Sequence, residues 1–576
     1  MKSSSIKNIK RMWPYIKDSK KYLILYIIVS IIEAIIGAII PLVSAKVILN
    51  ITNGIIDQLI LSALTVFIIS LIMHLSSLLK GLFYQKIYKI TLMNLQIAVA
   101  KETLKLEVKE IDKTSSGVFI DRLNKDTEDI SGMFMEYSFY TSRVITNLGV
   151  LLTIFVLNKY LFMYALLTSI IIFLIYKKRL SKQYEVQREV KKLREKQTGL
   201  TSEIVRGIRD IKVLNANDTM LNQTKKRIKE TTNEAIKMEN IRRIYNYIEN
   251  NTREALDFLF IIYGCILLKA NLLTIPAFII IYNYQSKIQN LLTSLVSLLE
   301  TNKRVEVSAD RIFEVIENKK FKKEKFGKKE IKKLSGNIKF KNVSFGYDEK
   351  EIIKEINFEI KPNEKVAFVG KSGEGKTTLF NLITKLYNRN SGEILFDNIS
   401  IDYLTQDSLR NNMSIITQSP YIFNFSIKDN LLLAKEDATM EEIKEACRLA
   451  RIDKYIESLP DKYDTMIGEN GVILSGGQKQ RLAIARALLM KTEIILFDEA
   501  TSALDNETQR EIQESIDNLK GEYTILIIAH RISTIINCDR IILIEDGKIV
   551  DEGTHEYLLK NNKNYKKLCQ TEITNE

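Results

Sequence analysis

The sequence predicts a membrane α-helical half of six spans with long cytosolic extensions, followed by a soluble α/β half built around a nucleotide-binding loop. Three observations predict it. Long apolar runs fill the first half of the 576 residues, while the second half has the make-up of a soluble α/β domain. The charged stretches between the runs alternate long and short. A glycine-rich stretch, Gly370–Thr377, stands between a β-rich run and a helix-forming run.

A membrane-spanning helix needs about 20 mostly apolar residues. Tyr22–Ala45 meets this with Glu33 as its one charge, and Leu59–Tyr84 does so with His74 central and Lys80 near its end. Tyr137–Leu157 and Tyr160–Tyr176 follow, parted only by Asn158 and Lys159. Ala255–Leu268 and Leu273–Leu299 complete the six, interrupted by Asp257 and Lys287. Met1–Lys21 is dense in Lys and Arg, which places the N-terminus in the cytosol. The long charged loops Gln85–Glu136 and Lys177–Arg253 then fall on that same side. Their helical spacing reads as membrane helices that continue into the cytosol. The formal net charge of +14 belongs with these loops rather than with a nucleic-acid partner. A charged residue inside a span is a functional candidate by default. Glu33, alone in mid-span, is therefore a candidate for selecting cationic substrates.

The four cysteines are scattered with no CxxC, which argues against a disulfide framework and a zinc site. The first apolar run is too long for a cleavable signal, and no small-residue cleavage pattern follows it. Glu317–Lys333 is lysine-rich without apolar periodicity and reads as a solvated linker, with contact to anionic lipid as the alternative. The expected division is a membrane domain over 1–316, a linker over 317–335 and a nucleotide-binding domain over 336–576.

In the second half, Asn337–Phe345, Ile352–Ile360 and Lys365–Val369 read as strands. The last runs into GKSGEGKT, where the glycines free backbone N–H groups to cradle phosphates. Gly370, Ser372, Gly373, Gly375 and Thr378 belong to this nucleotide-binding set. Lys376 reaches the terminal phosphates and Thr377 offers its hydroxyl to Mg²⁺. In IILFDEA, a buried strand delivers two acids to its tip. Asp498 is placed to hold Mg²⁺ and Glu499 to polarise the attacking water as general base. LIIAH ends a second apolar strand at His530, which is placed to contact the terminal phosphate. Gln418, after the strand that opens ITQSPYIF, is a weaker candidate to touch Mg²⁺ or the water. Leu474–Gln478, LSGGQ, opens a helix-forming run to Met490. Its free N–H groups suit an anion, yet no lysine accompanies them.

Together these motifs resemble an ATP-binding cassette (ABC) transporter of the exporter type. The resemblance rests on FGY (Phe345–Tyr347), GKSGEGKT, TQSPYIF, GENGVILSGGQKQRLAIARALL (Gly468–Leu489), ILFDEATSALD (Ile495–Asp505), IAHRIS (Ile528–Ser533) and DGKIVDEGTHEYLL (Asp546–Leu559), with GVFIDRLNKD (Gly117–Asp126) and SADRIFEVIE (Ser308–Glu317) in the membrane half. It implies that two ATPase domains stack head to tail around two ATP molecules. Ser475, Gly476, Gly477 and Gln478 would then bind the nucleotide held by the partner's phosphate loop. It also implies that Tyr347 stacks on adenine and that Asp505 couples the two sites. Short helices within Thr114–Leu123 and Asp210–Asp218 are the expected docking elements, the second reaching the partner's ATPase domain near its TQSPYIF loop.

The expected activity is ATP-driven export from the bacterial cytoplasmic membrane by a homodimer, with a heterodimer as the alternative. Amphipathic drugs, lipids and small peptides are candidate substrates, in that order. A DNA-associated ATPase would carry coiled-coil arms in place of apolar spans. An importer would keep its membrane and ATPase parts on separate chains. A peptide exporter that trims its cargo would carry a cysteine protease ahead of the first span.

Overall fold

In a computed structural model, residues 10–52, 56–114, 116–317, 320–347, 350–468, 471–498, 510, 513–514, 516–517, 520–529 and 531–573 are described. The chain forms two compact units. One comprises Met1–Leu104 and Ser116–Lys320, the other Lys105–Ser115 and Phe321–Glu576.

Six helices of 31 residues or more lie in the first unit among the described residues: Lys20–Thr52, Ile56–Thr103, Thr127–Leu157, Lys159–Arg206, Asn217–Lys269 and Ile275–Ile316. At 1.5 Å per residue, the 53-residue helix is about 80 Å long, far more than the roughly 30 Å of a bilayer core. By length and composition, three stretches among the described residues can cross a membrane: Gln58–Thr103, Gly117–Leu157 and Lys159–Arg206. The first, fifth and sixth expected spans fall on the remaining three helices without joining that set. Asp257 and Lys287 lie on the last two.

Successive helices pack as neighbours, Lys20–Thr52 on Ile56–Thr103 and Lys159–Arg206 on Asn217–Lys269. Thr127–Leu157 packs on Ile275–Ile316. Asn158 makes the one-residue break between two helices possible. Its side-chain oxygen accepts from the N–H groups of Tyr160 and Leu161, both at 3.0 Å, and so caps the second helix. Its amide also donates to the carbonyl of Leu272 at 2.8 Å.

Glu33 is not the isolated charge that the sequence suggested. Antiparallel packing of the first two long helices brings Lys80 to it as an ion pair. Elsewhere in this unit, Arg122 pairs with Glu314 at 2.8 Å and Ser308 donates to Asp129 at 3.2 Å. Arg11 pairs with Glu317 at 2.6 Å and lies over the Phe313 ring at 4.0 Å. The second expected docking element forms a short helix, Ile208–Val213, between two long ones, with Val213 and Leu214 exposed at its tip.

The second unit holds two sheets. Strands β1 (Ile338–Phe345), β2 (Ile353–Ile360), β4 (Ser391–Phe396) and β5 (Ile399–Ser400) form an antiparallel sheet in the order β2-β1-β4-β5. Strands β3 (Lys365–Val369), β6 (Met413–Ile416), β7 (Ile494–Asp498), β8 (Thr524–Ile528), β9 (Arg540–Glu545) and β10 (Lys548–Gly553) form the other, in the order β10-β9-β3-β8-β7-β6. Its central strands are parallel and β10 is an antiparallel edge. The parallel strands read as unbroken apolar runs because both faces are covered. Val366, Phe368, Leu496 and Leu526 face one core, which also holds Leu379, Phe380 and Ile383 of the helix Lys376–Ile383. Ala367, Val369, Ile495 and Phe497 face the other, which holds Leu482, Ile484 and Leu489 of the helix Gly476–Met490.

Two boundaries differ from the sequence expectation. Residues 321–334 of the lysine-rich segment form an ordered strap on the second unit rather than a solvated linker. Phe321 and Leu334 are buried. The backbone N–H groups of Gly327 and Lys329 donate to Leu404 and Tyr403, both at 2.8 Å. That of Ile331 donates to Ser408 Oγ at 2.7 Å. Backbone pairing holds the strap while its lysines point outward, so no apolar period betrays it. Likewise, the short helix that belongs to the second unit is Val108–Asp112, not Thr114–Leu123. The helix Ser116–Asp121 and the π-helical turn Arg122–Asp126 stay with the first unit. Leu106, buried beside the strap, is the apolar anchor of the docked segment.

Candidate active site

The site is assembled at the carboxyl ends of the parallel strands, where loops meet helix N-termini. β3 ends at Val369 and the loop of Gly370–Gly375 leads into the helix Lys376–Ile383. Gly373 and Gly375 have φ of +87° and +95°, which glycine tolerates and a β-carbon resists. A Cβ on Gly375 would also stand 2.6 Å from Ile353 Cδ1. At Gly370 a Cβ would stand 2.3 Å from the carbonyl oxygen of Ile544, so β9 approaches the loop closely there. Ser372 and Gly373 are exposed at the crest of the loop.

Lys376 is buried, and its ammonium donates to the carbonyls of Gly370 and Lys371 at 2.8 Å each. The lysine is thus held against the loop whose N–H groups line the helix start. Thr377 Oγ1 donates to Asp498 Oδ1 at 3.2 Å. The structure therefore brings together the hydroxyl at the head of one helix and the carboxylate at the tip of β7. A hydroxyl and a carboxylate are hard oxygen donors that suit Mg²⁺, which usually takes one or two protein carboxylates plus phosphate and water. Among the described residues no group of three or more His, Cys, Asp or Glu side chains gathers as a metal cage.

Tyr347 stands beside this helix. Its hydroxyl lies 3.4 Å from Thr378 Oγ1 and accepts from Asn381 Nδ2 at 3.2 Å. Its ring meets Phe345 and Tyr387 edge-on, with centroids 5.0 and 4.9 Å away. Tyr387 was not singled out from the sequence, since it lies beyond the motif and no periodicity marks it. Its hydroxyl donates to Asp112, and burial followed by that carboxylate pushes its pKa up.

Gln418 is exposed two residues past β6, the neighbour of β7. Its backbone carbonyl accepts from Gln480 Nε2 at 3.2 Å. Gln480, also unmarked in the sequence, is buried on the helix that follows LSGGQ and so ties that helix to the Gln418 loop.

Ser475 is the N-cap of that helix. Its hydroxyl accepts from the N–H of Gln478, and the Gln478 side chain accepts from the N–H of Ser475. Ser475 and Gly476 are exposed, and a Cβ on Gly476 would meet nothing within 4 Å. The N–H groups of Gly476 and Gly477, at the first two helical positions, have no partner within the helix by its geometry. This anion-ready end is not joined to Lys376, because the two helices pack on opposite faces of one sheet. Glu499, His530 and Asp505 lie outside the described residues. β7 and β8, which lead to the first two, run in parallel with Asp498 opposite Ile528.

A helical unit with helices long and apolar enough to cross a membrane, on one chain with a phosphate-loop sheet, defines a membrane-embedded nucleotide-binding protein. Comparison with known families narrows this. Residues 23–292 match the ABC transporter transmembrane region, and residues 353–502 match the ABC transporter family. The chain belongs to the ABC transporters, with the membrane region ahead of the ATPase domain as in exporter-type half-transporters. Among curated relatives, the ATP-dependent lipid A-core flippase of Syntrophus aciditrophicus is 41% identical over 292 residues, 49% of each chain. That of Escherichia coli K12 is 39% identical over 299 residues, 51% of each chain. This chain spans about half the length of these relatives. A bacterial Atm1-family ABC exporter with ATP bound superposes with a TM-score of 0.83 over 96% of this chain and 98% of that one. At 24% identity, that likeness concerns the fold alone.

Proposed function

We propose that this chain is an ATP-driven exporter or flippase of a hydrophobic or amphipathic molecule, acting as a dimer with two composite ATP sites. The observation that carries the reading is the separation of the two anion-ready helix ends. Lys376 heads a helix on one face of the sheet and Ser475 caps a helix on the other. A second copy turned head to tail would bring the LSGGQ end of one chain to the phosphate loop of the other. The exposed apolar tip at Val213 and Leu214 is a fitting element to dock on such a partner.

In this reading Lys376 and the loop N–H groups bind the terminal phosphates, and Tyr347 faces the adenine. Thr377 and Asp498, with Gln418, would hold Mg²⁺, which supplies neutralisation of phosphate charge when bound. Glu499 accepts the proton of the attacking water, and His530 contacts the phosphate that leaves. Asp505 lies across the dimer. Differential binding of ATP to the closed and open dimer then drives alternating access of the membrane cavity. The membrane is the bacterial cytoplasmic one, with the N-terminus and ATPase unit in the cytosol. The names of the flippase relatives raise lipid above drug as the substrate class. The Glu33–Lys80 pair removes the reason to favour cations.

The test is ATPase activity in nanodiscs for wild type and Glu499→Gln, with lipids, hydrophobic cations and peptides as stimulants. Turnover lost in the variant and raised by lipid supports the proposal. A folded wild type that does not turn over refutes the homodimer and directs attention to a heterodimer. Mixing Lys376→Ala chains with Ser475→Arg chains adds a check on the composite sites. Each variant alone forms no complete site, while a mixed dimer holds one. Nucleotide trapping that never appears in the mixture would refute the head-to-tail arrangement.

A further inference from the structure

We propose that the buried Lys365–Asp517 pair is a positioning device for ATP hydrolysis. It fixes, at one height on β3, the two segments that follow Asp505 and His530. The inference rests on the reading of Lys376, Asp505 and His530 as residues of the ATP site.

Lys365 opens β3, the five-residue strand that ends at the phosphate loop. At about 3.3 Å per residue, Gly370 lies about 16 Å further on, so Lys365 acts at a distance rather than on the nucleotide. Its side chain is fully buried, an unusual place for an ammonium. It pairs with Asp517, whose carboxylate also accepts from Gln513 Nε2 at 2.9 Å and from Asn537 Nδ2 at 3.0 Å. Burial works to raise the pKa of this carboxyl, and Lys365, Asn537 and Gln513 outweigh it, so the net shift is downward. The backbone of Lys365 closes a second ring. Its N–H donates to Asp539 Oδ2 at 2.9 Å, and its carbonyl accepts from the N–H of Asp539 at 2.9 Å. Lys520 spans the two segments, pairing with Asp539 at 2.8 Å and donating to the carbonyl of Asn537 at 3.2 Å.

Asp517 lies twelve residues after Asp505, and Asn537 seven after His530. One ammonium at the start of β3 thus gathers the ends of both segments. Apolar packing alone leaves a freedom that the pair removes. Ile516, Ile535 and Cys538 share a core with Ala367 and Ile527. Such contacts are non-directional and set how far the segments stand from the sheet. A slide along the sheet keeps most of that contact, but it strands a fully buried ammonium without its carboxylate, which is costly. The phosphate loop takes its height from the same strand, so the loop and both segments share one reference point. A misplacement of about 1 Å from a change far from the chemistry can cost about 100-fold in rate.

The test uses the full chain in nanodiscs. Lys365→Met with Asp517→Leu replaces both charges by apolar chains of similar length. Such a replacement of a buried pair is often neutral for stability, so Tm should stay near that of wild type. Turnover should fall at least about tenfold while KM for ATP stays within about twofold. A double variant with lowered Tm but wild-type turnover shows a purely structural pair and overturns the proposal. Asn537 is exposed, so its variants spare the core. Asn537→Ala frees the His530 side alone and should lower kcat about threefold, and Asn537→Asp, which sets a carboxylate against Asp517, should lower it further. Equal turnover in these two and wild type overturns the proposal, whatever the double variant does to folding. Amide exchange on a Glu499→Gln background gives a reading free of turnover. Mg-ATP should slow exchange at 370–378 and 531–537 in the parent, and only at 370–378 in the double variant and in Asn537→Asp. Protection retained at 531–537 in both overturns the proposal. A wild type that binds ATP without turnover fails the self-sufficient exporter reading alone, because the exchange arm still decides the positioning. Absence of ATP binding fails the site reading and the positioning with it.

Discussion

Replacing Asn430 by alanine should loosen the loop 420–426 that follows Gln418 and lower the stability of the ATPase unit. Asn430 is fully buried in the helix Ile427–Leu432. Its amide donates to the carbonyls of Phe423 at 2.9 Å, Ser426 at 3.0 Å and Phe425 at 3.3 Å. Its oxygen accepts from the N–H of Phe423 at 3.1 Å and from the Arg486 guanidinium. An amide has two protons, so these contacts amount to about four hydrogen bonds. The truncation does not orphan every partner. The Phe423 carbonyl keeps Phe425 N at 2.8 Å, that of Phe425 keeps Ile467 N at 3.0 Å and that of Ser426 keeps Asn430 N at 2.9 Å. Arg486 keeps the carbonyls of Asn430 at 2.8 Å and Tyr421 at 2.9 Å.

At about 1 kcal/mol net per bond the four bonds come to about 4 kcal/mol, and the Phe423 N–H left without its partner adds about 1 kcal/mol more. For a unit of this size a loss of about 5 kcal/mol lowers Tm by about 10–20 °C. The assay is thermal unfolding of the full chain at fixed scan rate and detergent, followed through the ATPase unit. Asn430→Asp is the informative control. It keeps an acceptor for Arg486 but sets a carboxylate against three carbonyls, so it should cost at least as much. An alanine variant within about 2 °C of wild type, or an aspartate variant at wild-type level, would refute the reasoning. The same loop carries the exposed rings of Tyr421, Phe423 and Phe425, so in the proposed dimer loosening it should also weaken coupling between the two copies.

Two other outcomes follow from charge placement. Glu442 is held down to about pKa 2, first by Lys435 at 2.8 Å, then by the N–H of Thr439 at 3.2 Å and by Lys491 at 3.2 Å. Its contribution to stability is present above the ordinary value of 4.5 and fades as pH falls toward 2, so Glu442→Gln should flatten acid unfolding in that window alone. Identical acid profiles would contradict it. In the membrane unit, Glu33→Lys and Lys80→Glu should each lower Tm while the double exchange recovers most of the loss, since an unpaired charge is costlier than a reversed pair. Additive losses in the double variant would show that the two charges act separately.

Much of the nucleotide site was legible because it is local. The Gly373 and Gly375 conformations, the lysine at a helix start and the acid at a strand tip are each determined within a few residues. The strands β1, β2 and β3 fell within one residue of their expected bounds, β3 as a short run buried throughout and β1 and β2 through apolar residues interleaved with exposed polar ones. The serine-capped helix at LSGGQ was equally visible, for capping is a matter of four consecutive residues. Less was legible where position depends on a remote partner. Nothing in the neighbourhood of Tyr387 or Asp112 announces that they meet, being 275 residues apart. The lysine-rich strap carried a composition typical of solvated chain and yet docks through its backbone, which sequence patterns do not report.

The sequence by itself determined the class of each half, the order of the halves and the chemistry of the phosphate loop, because turn, cap and hydrophobic periodicity act over a few residues. Only the tertiary structure decided that the phosphate-loop helix and the LSGGQ helix occupy opposite faces of one sheet. It alone decided that Glu33 is neutralised by Lys80 and that the buried Lys365 meets Asp517 at the start of β3. Those outcomes depend on which surfaces pack together, a choice made by the whole chain at once rather than by any stretch of it.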